Sequence, residues 1–190
     1  TATLVSKRLT AIDHTLSSER IPHVLIEIIP VDRKEPSFFV LNIYSTPKER
    51  SDCFDGLFKH ALKEAKQRLL IVGDFNAAHL TWGYETTNPK GRRLALRIAQ
   101  LGLTILTDAA YPTRIGNSVS RDTCPDLALI KDIRHQGWHN LDETLGSDHN
   151  IIETHIITPR TKIKERKIRM TDWDKFRQRR KEESINESYE

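Results

Sequence analysis

The sequence is poor in cysteine and has no long apolar run, and each absence excludes a class of protein. Its 190 residues include two cysteines, Cys53 and Cys124. Two thiols so far apart fit neither a disulfide framework nor a four-ligand zinc site, which favours a reducing compartment. No stretch of about 18 consecutive apolar residues occurs, so the sequence contains no candidate for a membrane-spanning helix.

The N-terminus and the charge balance carry little information. The chain starts Thr1-Ala2-Thr3, without an initiator methionine or the basic and apolar regions of a signal peptide, which predicts a fragment beginning inside a longer reading frame. The net charge is only +4 and the pI is about 9.1, a mild excess that is compatible with a polyanionic partner but does not establish DNA binding. The length suffices for one domain with a substantial core plus an appendage.

The spacing of apolar residues predicts a mixed α/β domain, because β-branched runs favour strands and a three-to-four spacing favours helices. The predicted strands cover residues 24–29, 38–44, 69–72, 103–106, 126–130, 133–139 and 151–157. The predicted helices run from Ser51 to about Ala65, with Ser51 and Asp52 as caps, and from Gly91 or Arg92 to Leu101. The segment 111–121 is interpreted as a hairpin. Periodicity leaves open a doubly wound α/β fold and a two-sheet α/β sandwich.

Two polar tetrads stand where predicted strands end or begin. Asp74 and Asn76 follow one apolar run, and Asp148 and His149 precede another. If these strands are neighbours, one site contains two carboxylates, an amide and an imidazole, which suits metal-assisted hydrolysis. From the residues alone, the alternatives are an Asx turn after the first run and a surface-loop histidine before the second.

Five ordered motifs resemble one known family. They are Gly73-Asp74-Phe75-Asn76-Ala77, Trp82-Gly83, Asn88 to Arg92, Thr123-Cys124-Pro125-Asp126-Leu127 and Gly146-Ser147-Asp148-His149. With Tyr44 ahead of them, they are similar to the endonuclease domain of non-LTR (LINE-type) retrotransposons, within the endonuclease/exonuclease/phosphatase family. The similarity covers residues 1–157, and several motifs in order are far more specific than one tetrad.

The resemblance implies the fold of DNase I, a four-layer α/β/β/α sandwich, here lacking its first strands. Residues 1–157 are then this domain, and residues 158–190 are a basic linker and a helix, which in this family lead toward a reverse transcriptase domain. The charged segment is expected to be flexible unless another domain packs on Trp173 and Phe176. The family's first-strand asparagine and its principal metal-binding glutamate have no counterpart at the start of this chain, where Glu19 lacks the surrounding pattern. Such a truncated domain is expected to bind Mg²⁺ poorly and to have little activity alone.

The resemblance also implies catalytic roles for five side chains. Asp74 is the base for the attacking water or orients it, and Asn76 donates its amide to a phosphate oxygen. Asp126 orients His149, which stabilises the charge of the phosphorane. Tyr44 contacts the scissile phosphate or the leaving oxygen, although the residue alone fits a core tyrosine with an exposed hydroxyl almost as well.

Asp148 is the metal ligand that the resemblance implies, for Mg²⁺ or alternatively Mn²⁺. Cations and aromatic rings near the tetrads are expected to bind double-stranded DNA through contacts that weaken with salt, and the hairpin is expected to probe a groove. The expected DNA-binding residues are Trp82, Arg92, Arg114, Asn117 and Thr123, with Tyr84, Asn88, Lys90 and Arg93 beside Trp82. Ordinary loop packing of Trp82 and turn capping by Thr123 are the open alternatives.

Three functions are compatible with these features. The first is Mg²⁺-dependent phosphodiester hydrolysis that nicks one DNA strand at a target site for retrotransposition, with nuclear action inferred from the substrate. The second is a catalytically inactive nucleic-acid-binding remnant. The third is a phosphatase of the same superfold, because a fold does not fix a substrate. The Trp82 loop and the segment from Trp173 to Phe176 argue against the phosphatase.

Overall fold

The computed structural model describes residues 1–16, 20–30, 35–157, 174–175, 177–178 and 180. The chain divides into two compact units, Thr1–Arg160 and Thr161–Glu190. The strands of the first unit are β1 (Thr10–His14), β2 (His23–Ile29), β3 (Phe38–Tyr44), β4 (Leu69–Asp74), β5 (Thr104–Ile105), β6 (Asp126–Lys131), β7 (His135–Asn140) and β8 (Ile152–Ile156). Its helices are α1 (Phe54–Glu64), α2 (Pro89–Leu101) and a short 3₁₀ helix, Leu80–Trp82.

The strands form a large mixed sheet and a small antiparallel one. The order across the six-stranded sheet is β1-β2-β3-β4-β6-β5, and β7 pairs with β8 in the two-stranded sheet. Only β3 and β4 are parallel neighbours in the large sheet, and α1 lies between them in sequence as the crossover that such a pair needs. Because β6 runs antiparallel to β4, the C-terminal ends of β3 and β4 lie beside the N-terminal end of β6.

Alternation along β4 explains why both faces of the large sheet are buried. Leu69 and Ile71 belong to a core cluster with the residues of α1 and α2. Leu70, between them, belongs to a second cluster that includes Ile130 of β6 and Ile156 of β8. The described residues thus form three layers, namely helices, large sheet and small sheet, and the outer helical layer of the predicted four-layer sandwich is not among them.

Most predicted strands are confirmed, with two differences. Residues 24–29 and 38–44 form β2 and β3, whereas the segment 103–106 pairs only over Thr104–Ile105. Strand β1 was not predicted, because its side chains are almost all exposed and show no apolar alternation. Its strand geometry comes from pairing with β2, where Thr10 lies opposite Ile29.

The start of α1 differs from the sequence prediction. Ser51 and Asp52 do not cap the helix: Cys53 occupies the N-cap position, and among the described residues no side chain makes a capping hydrogen bond there. Cys53 has helical backbone angles, φ −60° and ψ −24°, rather than the extended geometry from which a side chain reaches the first amides. Asp55 in the first turn instead pairs with Arg97 of α2 at 2.8 Å, which ties the two helices together.

The start of α2 is set by a cap that the sequence prediction missed. The helix begins at Pro89, and Asn88 Oδ1 accepts a hydrogen bond from Gly91 N at 2.7 Å. An asparagine cap followed by proline is a typical helix start. At Gly91 the backbone lies so close to the preceding loop that a Cβ atom would be 1.9 Å from Ala78 O. This contact holds α2 against the loop that follows β4.

Little of the second unit is described. Asp174, Lys175, Arg177, Gln178 and Arg180 have helical backbone. Arg177 Nη1 donates to Asp174 Oδ1 at 3.1 Å. The predicted linker 158–173, including Trp173, lies outside the described residues, as do Phe176 and Glu19. Over the described part of the chain, no helix combines the length and the apolar character that crossing a bilayer requires.

Candidate active site

Strand register brings three of the predicted site residues side by side. Tyr44 at the end of β3 is the register partner of Asp74 at the end of β4. Asp74 is in turn the partner of Asp126 at the start of β6. The three side chains therefore occupy one row across adjacent strands. The row lies at the C-terminal ends of β3 and β4 and the N-terminal end of β6.

His149 joins this row through Asp126. Its Nδ1 lies 2.7 Å from Asp126 Oδ2, and because an ionised carboxylate only accepts, Nδ1 carries the proton. The same oxygen accepts a hydrogen bond from Thr113 Oγ1 at 2.8 Å. Thr113 Oγ1 also accepts from Asp126 N at 3.2 Å, so the threonine fixes both the backbone and the side chain of Asp126. The imidazole leaves Nε2 for another partner.

The turn after β4 orients Asp74. Asn76 has a positive φ of 46°, a left-handed conformation that asparagine tolerates well. Its backbone N donates to Asp74 Oδ1 at 3.1 Å, which is the Asx turn considered as the alternative from sequence. Gly73 is required one residue earlier, because its φ is 138° and a Cβ atom would lie 2.0 Å from Ile43 O. The turn and the row of carboxylates therefore coexist.

Burial raises the pKa of both aspartates, and repulsion from Asp126 adds to the rise at Asp74. Burial raises the pKa of Asp74, the charge of Asp126 raises it further, and His149 opposes the rise. Burial also raises the pKa of Asp126, against the hydrogen bonds from Thr113 and His149. Carboxylates with raised pKa values are stronger proton acceptors once ionised. The pair is therefore chemically suited to base catalysis and to orienting an imidazole.

Asp148 does not stand free as a metal ligand. Its Oδ2 accepts a hydrogen bond from Arg114 Nε at 2.8 Å, and the guanidinium lowers the pKa of this carboxyl. Its Oδ1 lies 4.0 Å from His149 Nε2. In this arrangement Arg114 is the partner of the carboxylate, and the role of Asp148 as a Mg²⁺ ligand stays a prediction.

The described residues do not fit a divalent metal as a complete set. Within them, no group of three or more His, Cys, Asp or Glu side chains is arranged to hold an ion. A hard cation such as Mg²⁺ needs several well-placed oxygen ligands. Asp126 Oδ2 already accepts hydrogen bonds from Thr113 and His149. Of the two carboxylates in the row, Asp74 is therefore the better candidate for a metal ligand.

Trp82 does not face DNA. It is fully buried in the helix-side core, and its Nε1 donates to Ala77 O at 2.7 Å. Its ring also lies beside that of His79, with 4.8 Å between centroids. The expected DNA contact of Trp82 is therefore wrong, and the alternative of loop packing is confirmed. The local sequence does not indicate whether a tryptophan in a loop faces the core or the solvent.

Asn88 and Lys90, which follow this loop, have structural roles within the protein. The side chain of Asn88 caps α2, and that of Lys90 is buried, with 4% exposure. Arg92 is exposed on the first turn of α2, so its predicted DNA contact stays a prediction. Tyr84 is half-buried and hydrogen-bonded to the Thr123 side chain, and burial raises its pKa to about 12.

The loop between β5 and β6 is hairpin-like, as predicted, but irregular. Arg114 and Thr123 bridge it through two backbone hydrogen bonds of 2.9 and 3.0 Å. Asn117 Oδ1 closes the tip by accepting from Ser120 N at 2.9 Å. The predicted DNA contacts of Arg114, Asn117 and Thr123 are not tested by these bonds, although each of the three side chains already has a partner within the protein.

Thr113 is the site residue that sequence reasoning missed. It is fully buried, although it lies within the segment interpreted as an exposed hairpin. The choice between Thr113 and Thr123 as the threonine next to the aspartate depends on the path of the loop. Thr123 is three positions from Asp126 in sequence, yet Thr113 makes the hydrogen bond. A fixed-distance motif gives no indication of this.

Comparison with solved structures shows a DNase I-like mixed α/β fold. The endonuclease domain of TRAS1, a telomere-specific non-LTR retrotransposon, matches with a TM-score of 0.69 at 20% identity, over 82% of this chain and 72% of that one. At this identity the likeness establishes the fold alone. A mannosyl-6-phosphatase of Bacteroides thetaiotaomicron matches with a TM-score of 0.47 at 11% identity, over 72% of this chain and 58% of its own.

Sequence comparison identifies the family. A protein of Drosophila melanogaster, described as a probable RNA-directed DNA polymerase from transposon BS, is 33% identical over 109 residues, which are 56% of this chain and 12% of that protein. The family model described as endonuclease-reverse transcriptase matches residues 38–153, a segment that includes Tyr44, Asp74, Asp126 and His149. Because that match spans more than half of the 190 residues, the chain belongs to the endonuclease-reverse transcriptase family.

Proposed function

We propose that this chain hydrolyses phosphodiester bonds of double-stranded DNA, cutting one strand at a target site for non-LTR retrotransposition. One observation carries the proposal: Tyr44, Asp74 and Asp126 form a row across three adjacent strands, and His149 is hydrogen-bonded to Asp126. Membership of the endonuclease-reverse transcriptase family supports a nuclease in general. The DNA substrate, the restriction to one strand and any metal requirement belong to the proposal.

In this reaction His149 stabilises developing negative charge. The carboxylate of Asp126 accepts a hydrogen bond from Nδ1 and fixes the ring, and Nε2–H is the proposed donor to a phosphate oxygen as charge accumulates there. Thr113 holds Asp126 in the orientation that this requires. Such a preorganised donor acts without reorganising during the reaction, which is the main source of electrostatic catalysis.

Asp74 is the proposed base for the attacking water. Its raised pKa makes it a better proton acceptor, and Asn76 fixes it through the Asx turn. The Asn76 side-chain amide is the proposed donor to a second phosphate oxygen. Tyr44 is 43% exposed and is the register partner of Asp74, and its hydroxyl is the proposed contact to the scissile phosphate or the leaving oxygen.

A requirement for Mg²⁺ or Mn²⁺ is the part of the proposal that the family likeness alone supports. The ion would supply Lewis-acid polarisation of the phosphate. Since the described residues do not form a complete ligand set, no step above is assigned to it. A reverse transcriptase carried by the same polyprotein is the proposed partner, on the strength of the Drosophila relative's description.

The incomplete ligand set favours one alternative, a domain that binds DNA without cutting it. In that case Arg92 and Arg114 would bind phosphates, and affinity would fall with salt in proportion to the phosphates neutralised. The catalytic row would then be retained without turnover. Binding in the presence of excess EDTA together with an absence of nicking at any Mg²⁺ or Mn²⁺ concentration identifies this case.

Nicking of supercoiled plasmid by the whole chain tests the proposal. The reaction is run with Mg²⁺, with Mn²⁺ and with EDTA, using wild type and His149→Ala. His155→Ala is the matched control, because His155 also pairs with a carboxylate, Glu153 at 2.9 Å, but lies on β8. Metal-dependent conversion to open circles by wild type and His155→Ala, lost in His149→Ala, supports the nuclease. Equal nicking by all three variants identifies a contaminating nuclease and contradicts it.

A further inference from the structure

A lysine lies buried beneath the candidate site. Lys90, in the first turn of α2, has only 4% of its surface exposed. Lysine is almost never fully buried unless its ammonium group has partners, because removing a charge from water is costly. Its neighbours therefore indicate why the charge is held there.

The ammonium group of Lys90 reaches out of α2 to the segment that follows β3. Its Nζ donates to Thr46 O at 2.7 Å and lies 5.5 Å above the ring centroid of Phe54, at the start of α1. The carbonyl supplies a strong acceptor, and the aromatic face supplies a weaker cation–π contact. One side chain thus joins the starts of both helices to the end of β3.

The acceptor of this bond lies two residues after Tyr44. Between them, Ser45 N donates to Asp74 O at 2.8 Å, and Glu49 N donates back to Thr46 O at 3.1 Å. The segment from Tyr44 to Thr46 is therefore fixed from two sides, by the backbone of Asp74 and by the ammonium of Lys90. This segment carries Tyr44, one of the three side chains of the site row.

Electrostatics supports a role near the site. Burial lowers the pKa of Lys90, and the charges of Cys53, Glu49 and Asp74 oppose this. A contact that served only to pack α2 against the loop would be made more favourably by an apolar side chain of similar size, because replacing buried ions by well-packed apolar groups is often stabilising. The charge therefore points to a requirement for the hydrogen bond to Thr46.

We propose that Lys90 is a positioning residue of the nuclease site, which holds the segment from Tyr44 to Thr46 so that the Tyr44 hydroxyl stays in line with Asp74. The inference rests on the proposed nuclease function. Lys90 does not touch the reacting atoms, and its effect passes through Thr46 O. Displacement of Tyr44 by about 1 Å is enough to lower turnover by two orders of magnitude in well-oriented sites.

The first measurement separates turnover from binding. Plasmid nicking is followed over a range of DNA concentrations for wild type, Lys90→Met and Lys90→Arg. We expect Lys90→Met to lower kcat by roughly 10- to 100-fold with KM changed by less than about threefold, and Lys90→Arg, which keeps a donor for Thr46 O, to recover part of the loss. Arg97→Met is the matched control. It removes another largely buried cation of α2, but one that pairs with Asp55 rather than with the segment after β3.

The second measurement does not depend on activity. Amide hydrogen exchange reports the Ser45 N–H, which bonds to Asp74 O, and the Ile71 N–H in the core of β4 serves as reference. We expect Lys90→Met to speed exchange at Ser45 by roughly tenfold or more relative to the reference, and Arg97→Met to leave that ratio unchanged. If Lys90→Met does not fold, Lys90→Gln replaces it under the same criteria.

The outcomes are distinct. If Lys90→Met matches Arg97→Met in both kcat and the Ser45 exchange ratio, the inference is overturned and Lys90 is only a packing residue. If wild type does not nick DNA under any condition, the proposed nuclease function fails, and the Ser45 exchange ratio alone decides whether Lys90 orders the segment. Lower kcat together with faster Ser45 exchange, in Lys90→Met only, supports the inference.

Discussion

Asp74 and Asp126 lie directly opposite each other on the antiparallel pair β4 and β6. Two carboxylates at opposed positions of a sheet repel each other, and burial adds to the cost of ionising them. When both are ionised, the two carboxylates therefore destabilise the sheet locally at the site. Such concentrations of perturbed acids are typical of functional sites.

The first prediction concerns stability at Asp74. Its folded pKa is raised above the ordinary value of 3.8, chiefly by burial, so the native state binds this proton more tightly than the unfolded state. The contribution of Asp74 to the free energy of unfolding therefore falls as pH rises from 3.8 through the raised value. We expect Asp74→Asn to raise Tm by about 2–4 °C at pH 8, for about 1 kcal/mol, and by less at about pH 3, where the carboxyl is protonated in both states.

The same variant should lose activity. Asparagine keeps an acceptor for Asn76 N but cannot take a proton, so nicking should fall by roughly 10²- to 10⁴-fold. Thermal unfolding at both pH values and plasmid nicking are the measurements, and Asp142→Asn, at an exposed position, is the control. A stability gain that is no larger at pH 8 than at about pH 3 would contradict the raised pKa.

The second prediction separates Thr113 from an ordinary buried threonine. Thr113→Val removes both hydrogen bonds to Asp126, which should destabilise the protein by about 1–3 kcal/mol and lower nicking by roughly 10- to 100-fold. Thr107→Val is the matched control, because Thr107 is also buried and accepts from Ala128 N at 2.8 Å. Urea unfolding and nicking are measured together. Equal losses of activity in the two variants would remove the special role of Thr113.

The third prediction concerns Trp82. Trp82→Phe leaves Ala77 O without its donor in the core, so we expect a loss of about 1–3 kcal/mol in unfolding free energy and no change in DNA affinity. Arg92→Ala is the contrasting variant: its loss should reduce the slope of log K against log salt by about 0.9 if Arg92 binds a phosphate. Fluorescence anisotropy with duplex DNA at several salt concentrations measures the DNA affinity of both variants and its salt dependence. Weaker DNA binding by folded Trp82→Phe would restore the hypothesis that Trp82 contacts DNA.

The fourth prediction distinguishes an arginine partner from a metal ligand at Asp148. Asp148→Asn removes a negative charge and releases Arg114, so we expect tighter duplex binding in EDTA, by roughly 2- to 10-fold at low salt. The Mg²⁺ dependence separates the two roles, because loss of a metal ligand would raise the Mg²⁺ concentration needed for nicking, whereas loss of an arginine partner would leave it unchanged. The Mg²⁺ titration is run on wild type, Asp148→Asn and Arg114→Gln.

Much of the fold follows from local pattern, and the differences have local causes. Leu69 to Val72 and the residues of β2 and β3 combine β propensity with burial, so the sequence predicts their strands directly. The edge strand β1 lacks any such pattern because only pairing holds it. The two-residue β5 is too short for periodicity to define.

The site divides in the same way. Motif spacing predicts Asp74, Asn76, Asp126 and His149 as members of a hydrolytic site, because Gly73 and the polar tetrads mark where strands end. It does not predict which neighbour each side chain will contact. That Asp148 pairs with Arg114 and that Trp82 turns inward depend on how two loops fold back over the sheet.

The sequence by itself determined the order of strands and helices, the positions of the two polar tetrads and the family to which they point. These depend on residues a few positions apart. Only the tertiary structure decided that Tyr44, Asp74 and Asp126 form one row, that Thr113 rather than Thr123 holds Asp126, and that Lys90 is buried. The reason is physical: strand register and loop path are set by packing between residues distant in sequence, and hydrogen bonds at the site form only after that packing is complete.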